Sequence, residues 1–290
     1  MSLTRDLVFN VMYYLDDFNV MLINKAVNSM PYIVLGYHIY DKEFLYPRNI
    51  TYNELEVTSS SLINRKLPNV NTLIINSMLT PSFKHTKRYK NIKVVCNDVN
   101  DPKYLAHCNI LNISRTKISN LSILTNIRVL IASKTLITEV PKLNTLESLD
   151  VSCTKVKSIP ILERLHTLNI SFTKINTIPV LECLHTLDIS FSDITTIPVL
   201  KRLHILHANN TSISDISMVS QLHTLYARYS DITDVSMLYR LHTLDISYTK
   251  ISDISMLSQL HTLYARYSDI TDVSMLNLLD TSEIVLKKTV

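Results

Sequence analysis

A leucine returns every 19 residues through most of this chain: Leu111, Leu130, Leu149, Leu168, Leu187, Leu206, Leu225, Leu244 and Leu263, set in the frame L-x-x-L-x-I/A-x-x-T/S-x-I. A unit this short cannot bury its own apolar side. Stacked on copies of itself it forms one continuous core, so the period demands a solenoid.

The other columns keep the same register. With Leu165 as position 1 of its unit, position 11 runs Ile118, Ile137, Val156, Ile175, Ile194, Ile213, Ile232, Ile251 and Ile270. Position 14 is Leu, Val or Ile from Leu121 to Val273, and position 17 is Leu or Val from Leu124 to Leu276. Several anchors per unit, with a change of direction between them, fit neither one helix nor one strand.

Segments such as Leu165-His-Thr-Leu168-Asn-Ile170-Ser-Phe-Thr173-Lys-Ile175 resemble leucine-rich repeats. The resemblance spans roughly residues 52 to 278. It implies an α/β solenoid with a short-stranded parallel sheet on one face, extended or 3₁₀ turns on the other, and a small helical N-terminal cap. Position 9 departs from the family's Asn: it reads Thr116, Thr135, Thr154, Thr173, Ser192, Thr211, Ser230, Thr249 and Ser268. A hydroxyl donates and accepts, and is expected to replace part of the Asn ladder with less reach.

Extending the frame backwards finds units opening at Tyr89, Val70 and Tyr52, about twelve in all. The expected division is residues 1–50 and a repeat domain over 51–290, regular from 108 to 278, with Ile284-Val-Leu286 as a last strand. Positions 3 to 7 are expected to form the strand of each unit. Its return segment has two versions. Pro141, Pro160, Pro179 and Pro198 favour an extended path, whereas later units place Ser217, Ser236, Ser255 and Ser274 two residues after Asp215, Asp234, Asp253 and Asp272. Those carboxylates are read as caps accepting from the free N–H groups of a short 3₁₀ turn. A calcium stripe would need six or more converging oxygens, against one carboxylate per turn here.

Composition narrows the setting. One glycine, Gly36, in 290 residues means that the turns are expected to use residues such as Asn, Ser, Thr and Asp. A net charge of +4 with interspersed signs does not by itself imply nucleic acid or an anionic membrane. Cys96, Cys108, Cys153 and Cys183 lack zinc-site spacing and are expected to be reduced structural thiols. Without a recognisable secretory signal or a run of 18 apolar residues, the expected location is cytoplasmic.

Residues 221–238 and 259–276 are identical, surface positions included, as recent duplication of a two-unit block would leave them. The first 50 residues differ: apolar side chains from Leu3 to Val27 recur mostly at helical intervals, predicting two or three short helices. The stretch Leu3 to Lys25 resembles an F-box, with Thr4 where the family often has Pro and no Trp following. That resemblance implies docking of Leu7, Val11 and Leu15 on a Skp-type adaptor of a cullin ubiquitin ligase. A plain helical cap over the first repeat explains the same pattern. The near-identical units and Ile/Asn/Lys-rich composition also resemble the expanded repeat families of large DNA viruses, which would place the protein in a host cell.

His166, His185, His204, His223, His242 and His261 form a column at position 2. Imidazoles stacked alike at about 4.8 Å do not converge on a metal. Such a row is expected to resist charging and to loosen in mild acid. The expected partner-binding surface is the exposed sheet face of the C-terminal half: Tyr226, Arg228, Tyr229, Asp245, Tyr248, Tyr264, Arg266 and Tyr267, with Phe172, Phe191, His207, Asn209 and Asn210 upstream. Tyr and Arg commonly dominate protein interfaces. The alternative is that these rings simply pack on one another along the sheet. Nucleic acid fits less well, since Asp188, Asp193, Asp231, Asp245 and Asp269 lie on or beside the same rows.

No catalytic constellation is found: one Gly forbids a phosphate loop, HExxH is absent, and Ser, His and Asp recur by repetition without converging. No cofactor or metal is expected. The reading is a non-catalytic protein–protein interaction scaffold, either the substrate adaptor of a ubiquitin ligase or a stand-alone repeat protein.

Overall fold

The computed structural model describes residues 38–39, 51–57, 69–75, 91–94, 106 and 108–278. The chain divides into two compact units, Met1–Lys93 and Val94–Val290. In the first, β1 (His38–Ile39) pairs in parallel with β2 (Thr51–Val57), and β2 with β3 (Asn69–Ile75). Tyr52 faces Val70 and Leu55 faces Leu73, the register that the degenerate early units require. Strand β4 (Asn91–Val94) buries Ile92 at the leucine position. The described part of the first 50 residues is therefore a strand. The expected helices, with Leu7, Val11 and Leu15, lie outside the described residues, as does Ile284–Leu286.

The second unit is the regular array. Strands β5 (Ile110–Asn112), β6 (Val129–Ile131), β7 (Ser148–Asp150), β8 (Thr167–Asn169), β9 (Thr186–Asp188), β10 (Ile205–His207), β11 (Thr224–Tyr226), β12 (Thr243–Asp245) and β13 (Thr262–Tyr264) follow one another. Each pairs in parallel with the next, leucine opposite leucine, as Leu111 with Leu130 and Leu244 with Leu263. Positions 1, 4, 6, 11, 14 and 17 are buried throughout except at the half-buried Val273, and Leu149, Leu168, Leu187 and Leu206 have no exposed surface. Burying each such side chain contributes about 1.5–3 kcal/mol. The nine-fold repetition of these columns is what holds the stack together.

The strands are shorter than expected, three residues in place of five. Their ends are closed by side chains at position 5: Asn112, Asp150, Asn169, Asp188 and Asp245 each accept the N–H of the residue two further on, at 2.9–3.0 Å. The residue immediately after that donor adopts a left-handed backbone. Arg115, Lys134, Cys153, Phe172, Phe191, Asn210, Tyr229, Tyr248 and Tyr267 all have φ between 52° and 62°. The turn is built largely from Asn, Asp, Ser and Thr at positions 5, 7 and 9, as expected, but its left-handed position holds such a residue only at Asn210. A side chain at Cβ costs about 1–2 kcal/mol in this region, which inter-repeat bonds offset: Phe172 N–H donates to the Ser190 carbonyl and Tyr229 N–H to that of Ser247.

The position 9 hydroxyls work inside their own repeat. Thr173 Oγ1 donates to the Ile170 carbonyl at 2.6 Å, and Ser230 Oγ to that of Ala227 at 2.7 Å. The expected substitute for an Asn ladder between turns is thus a clasp within each turn, because a hydroxyl reaches only three residues back. Neighbouring turns are joined by backbone bonds instead.

On the return side the four aspartates cap as expected. Asp215, Asp234, Asp253 and Asp272 accept from the N–H groups of Ser217, Ser236, Ser255 and Ser274 at 2.8–2.9 Å. Only Ser217–Val219 winds into a 3₁₀ helix, while the equivalent later segments remain simple turns. Among the described residues there is no α-helix. Cys108 is buried, whereas Cys153 is exposed at a left-handed turn and Cys183 is half-buried, so the expectation of structural thiols inside the core holds for the first alone.

Candidate protein-binding face of the sheet

Parallel pairing at a fixed step puts like positions of successive repeats side by side, so each column of the sequence becomes a row on the surface. The position 2 row begins with a two-pronged ion pair, Arg128 to Glu147 at 2.8 and 2.9 Å, and continues as the six histidines. Successive imidazoles stack with centroids 4.8–5.5 Å apart. Their backbones pair as well, His185 N–H donating to the His166 carbonyl at 2.8 Å and so on down the row.

The Nδ1 atoms of His185, His204 and His261 lie 2.6–2.7 Å from the carbonyls of Cys183, Arg202 and Gln259. These bonds fix the rings parallel. His223 Nδ1 is buried without a hydrogen-bond partner, facing Gln221 short of bonding geometry. Desolvation, with His204 and His242 on either side, holds the His223 imidazole below its ordinary value of 6.5.

The aromatic and arginine rows lie along the strand exits. At position 8, Phe172 stacks on Phe191 at 4.3 Å, and Tyr229 on Tyr248 at 4.2 Å, with Tyr267 tilted beyond at 4.8 Å. Tyr229 and Tyr267 remain about half exposed, and Tyr248 between them less so. At position 7, Arg228 and Arg266 are exposed, their guanidinium carbons 6.0 and 5.1 Å from the rings of Tyr229 and Tyr267. The expected neighbourhood is therefore assembled, and its rings also pack on one another.

Position 5 separates the two halves of the array. Where β5, β7, β8 and β9 end in a capping Asn or Asp and β6 in Ile131, β10, β11 and β13 end in His207, Tyr226 and Tyr264. His207 stacks on Tyr226 at 4.7 Å. Between the two tyrosines of this row sits Asp245, named among the exposed residues but only 9% accessible. Its Oδ1 accepts from Ser247 N–H, and its Oδ2 lies 3.9 Å from Arg228 Nε. Asp245 thus serves mainly to close its own strand from beneath the surface, with Arg228 as a loose ion-pair partner. In place of a local cap, Arg228 N–H donates to Asn209 Oδ1 of the preceding repeat at 2.9 Å.

One surface row escaped the sequence reading. From Ile161 onwards position 16 is Ile161, Val180, Val199, Met218, Met237, Met256 and Met275, each 45–66% exposed, after Ile123 and Lys142 in the two repeats before. The signal was present as an apolar column, but it lies beside the buried positions 14 and 17 and was not separated from them. Among the described residues no three His, Cys, Asp or Glu side chains are grouped to hold a metal, and no helix is long and apolar enough to cross a membrane.

The stacked three-residue strands, the left-handed turn and the leucine columns decide the architecture. The fold is a leucine-rich-repeat solenoid. It is similar to an internalin from Listeria monocytogenes, at 25% identity over 70% of each chain and a TM-score of 0.59. It is also similar to a leucine-rich-repeat protein of Leptospira interrogans, at 18% identity over 82% of this chain and 86% of that one, with a TM-score of 0.62. A third similar structure is TLR13 in complex with a single-stranded RNA, at 19% identity over 79% of this chain and 42% of that one, with a TM-score of 0.63. No known family model and no curated protein matches the chain.

Proposed function

We propose that this leucine-rich-repeat chain is a non-catalytic scaffold that binds a protein partner on the sheet face of its C-terminal half, through Tyr226, Arg228, Tyr229, Tyr248, Tyr264, Arg266 and Tyr267. Asp245 lies beneath them as a loose ion-pair partner of Arg228. The supporting observation is the exchange at position 5, where β10, β11 and β13 hold aromatic rings in place of a capping carboxylate or amide. Position 5 closes the strand in β5, β7, β8 and β9, whereas in these three strands it presents a ring. Tyr and Arg offer large contact area with polar tips and low ordering cost, the profile of interface anchors.

A second reading adds a link to a ubiquitin ligase, with Leu7, Val11 and Leu15 docking on a Skp-type adaptor and the repeats holding the target. It rests on the F-box-like stretch alone. The division into residues 1–50 and 51–290, a cytoplasmic location and a viral origin belong to this reading. Affinity purification from cytosolic extract tests both, comparing the intact chain with a Leu7→Asp, Val11→Asp, Leu15→Asp variant. Ligase subunits lost from the variant with the target retained support the adaptor. A target recovered equally by both, with no ligase subunit in either, supports the stand-alone scaffold.

RNA is a competing ligand because one similar structure carries it. The carboxylates of Asp188, Asp193, Asp231 and Asp269 beside these rows oppose a phosphate backbone. Titration with single-stranded RNA at low salt is expected to show no binding.

A further inference from the structure

We infer that the return side of the array carries a second docking surface, an apolar ridge flanked by carboxylates that receives a basic amphipathic segment of a partner protein. The ridge is the position 16 row. Seven consecutive repeats expose an apolar side chain there, from Ile161 at 57% to Met275 at 66%. The fold does not require it, because the buried anchors of each return segment are the residues on either side, as Val235 and Leu238 flank Met237. Beside the four methionines the outward columns at positions 12, 13 and 15 are polar, as Ser214, Thr233, Ser252 and Thr271 at position 12, whereas Pro160, Pro179 and Pro198 precede Ile161, Val180 and Val199. An unbroken apolar strip on the order of a few hundred Å² is the size that marks interaction sites on soluble proteins.

Charge selects the partner. Ser158, Thr177 and Thr196 occupy position 13 beside Ile161, Val180 and Val199, but Asp215, Asp234, Asp253 and Asp272 occupy it beside the four methionines. Each carboxylate uses Oδ1 for its serine N–H, and among the described residues none pairs with Lys or Arg. Their bonds to the serines hold all four below the usual carboxylate range, so they are ionised at neutral pH.

Between the first two lies a recess of about 220 Å³, walled by Asp215, Asp234 and Met237 over the buried Ile216 and Val235. An apolar floor under two carboxylates suits the aliphatic stem and cationic head of a Lys or Arg. Methionine, unbranched and polarizable, adapts to varied apolar partners. In a chain of net charge +4 this acidic row is a local feature, and it disfavours an anionic lipid surface.

The test uses the full chain and a labelled 18-residue peptide of Leu and Lys at amphipathic helical spacing. Its counterpart with Glu for Lys and a scrambled peptide without an apolar face are the controls. The Leu/Lys peptide is expected to bind with salt-dependent affinity and the controls not to bind. Met237→Ser with Met256→Ser should weaken binding at least tenfold. Asp234→Asn with Asp253→Asn, which keeps an acceptor for the serine N–H, should weaken it several-fold and flatten the salt dependence. Tyr229→Ser with Tyr248→Ser on the sheet face should leave it unchanged. All variants should match the parent in circular dichroism. Absence of binding, equal binding of the Glu peptide, indifference to the ridge substitutions, or ridge-dependent sedimentation with phosphatidylserine vesicles would each overturn the assignment.

Discussion

Phe172 and Phe191, one repeat apart, stack at 4.3 Å with their planes 10° from parallel while both backbones sit in the left-handed region, at φ 55° and 56°. The same residues carry a conformational cost and a ring contact. Phe172→Val should therefore be worse than Phe172→Asn. A β-branched side chain is the least tolerated at positive φ and restores no stacking, so the difference is expected to be about 1–2 kcal/mol in urea denaturation. Equal losses would show that stacking dominates and the backbone is unstrained.

The position 9 clasp predicts another ordering. Thr173→Val keeps the shape but leaves the Ile170 carbonyl without its 2.6 Å donor, at a cost of about 1–2 kcal/mol. Thr173→Ser should cost little, because Ser230 and Ser268 already make this bond. Comparable losses in the two variants would remove the hydrogen bond as the cause.

The core columns predict the largest effect. Leu187 is fully buried between Leu168 and Leu206 in the middle of the array, and Leu187→Ala should destabilise by about 2–5 kcal/mol. Met237→Ala, on the return side and 55% exposed, should change stability little. Thermal melts of the two separate buried columns from the exposed row.

Acid should act in two stages. His223 titrates below 6.5 in the folded chain, so as pH falls past 6.5 the unfolded chain takes up a proton that the folded one resists, and stability declines. His223→Phe keeps a ring in the row and should lessen the loss between pH 7 and 5. The aspartate caps respond later. Their folded values lie below the ordinary 3.8, so their contribution is present above that pH and is lost as pH falls through the lowered values. A melting midpoint flat from pH 7 to 5 would contradict the first stage.

Much of this was legible before the structure because repetition averages away local ambiguity. The leucine columns, the parallel register, the histidine stack and the aspartate caps each follow from like residues at a constant step. What stayed hidden were features that residue type does not announce. Apart from Asn210 the left-handed position is occupied by Arg, Lys, Cys, Phe and Tyr, none a turn former, because inter-repeat bonds and not local preference impose it. The role of Asp245 needed the third dimension, since its column looked outward while Tyr226 and Tyr264 flank it. The methionine ridge was visible as a column and was passed over because every other apolar column is buried.

The claim that the sheet face recognises a protein rests on the row of Tyr226, Arg228, Tyr264 and Arg266. Its most direct test is the equilibrium Kd of the partner recovered by affinity purification, measured by calorimetry against the parent chain, a Tyr226→Ala, Arg228→Ala, Tyr264→Ala, Arg266→Ala variant, and Met237→Ser with Met256→Ser. The sheet-face variant should bind at least tenfold more weakly while the ridge variant binds as the parent does. An unchanged Kd for the sheet-face variant would contradict the account.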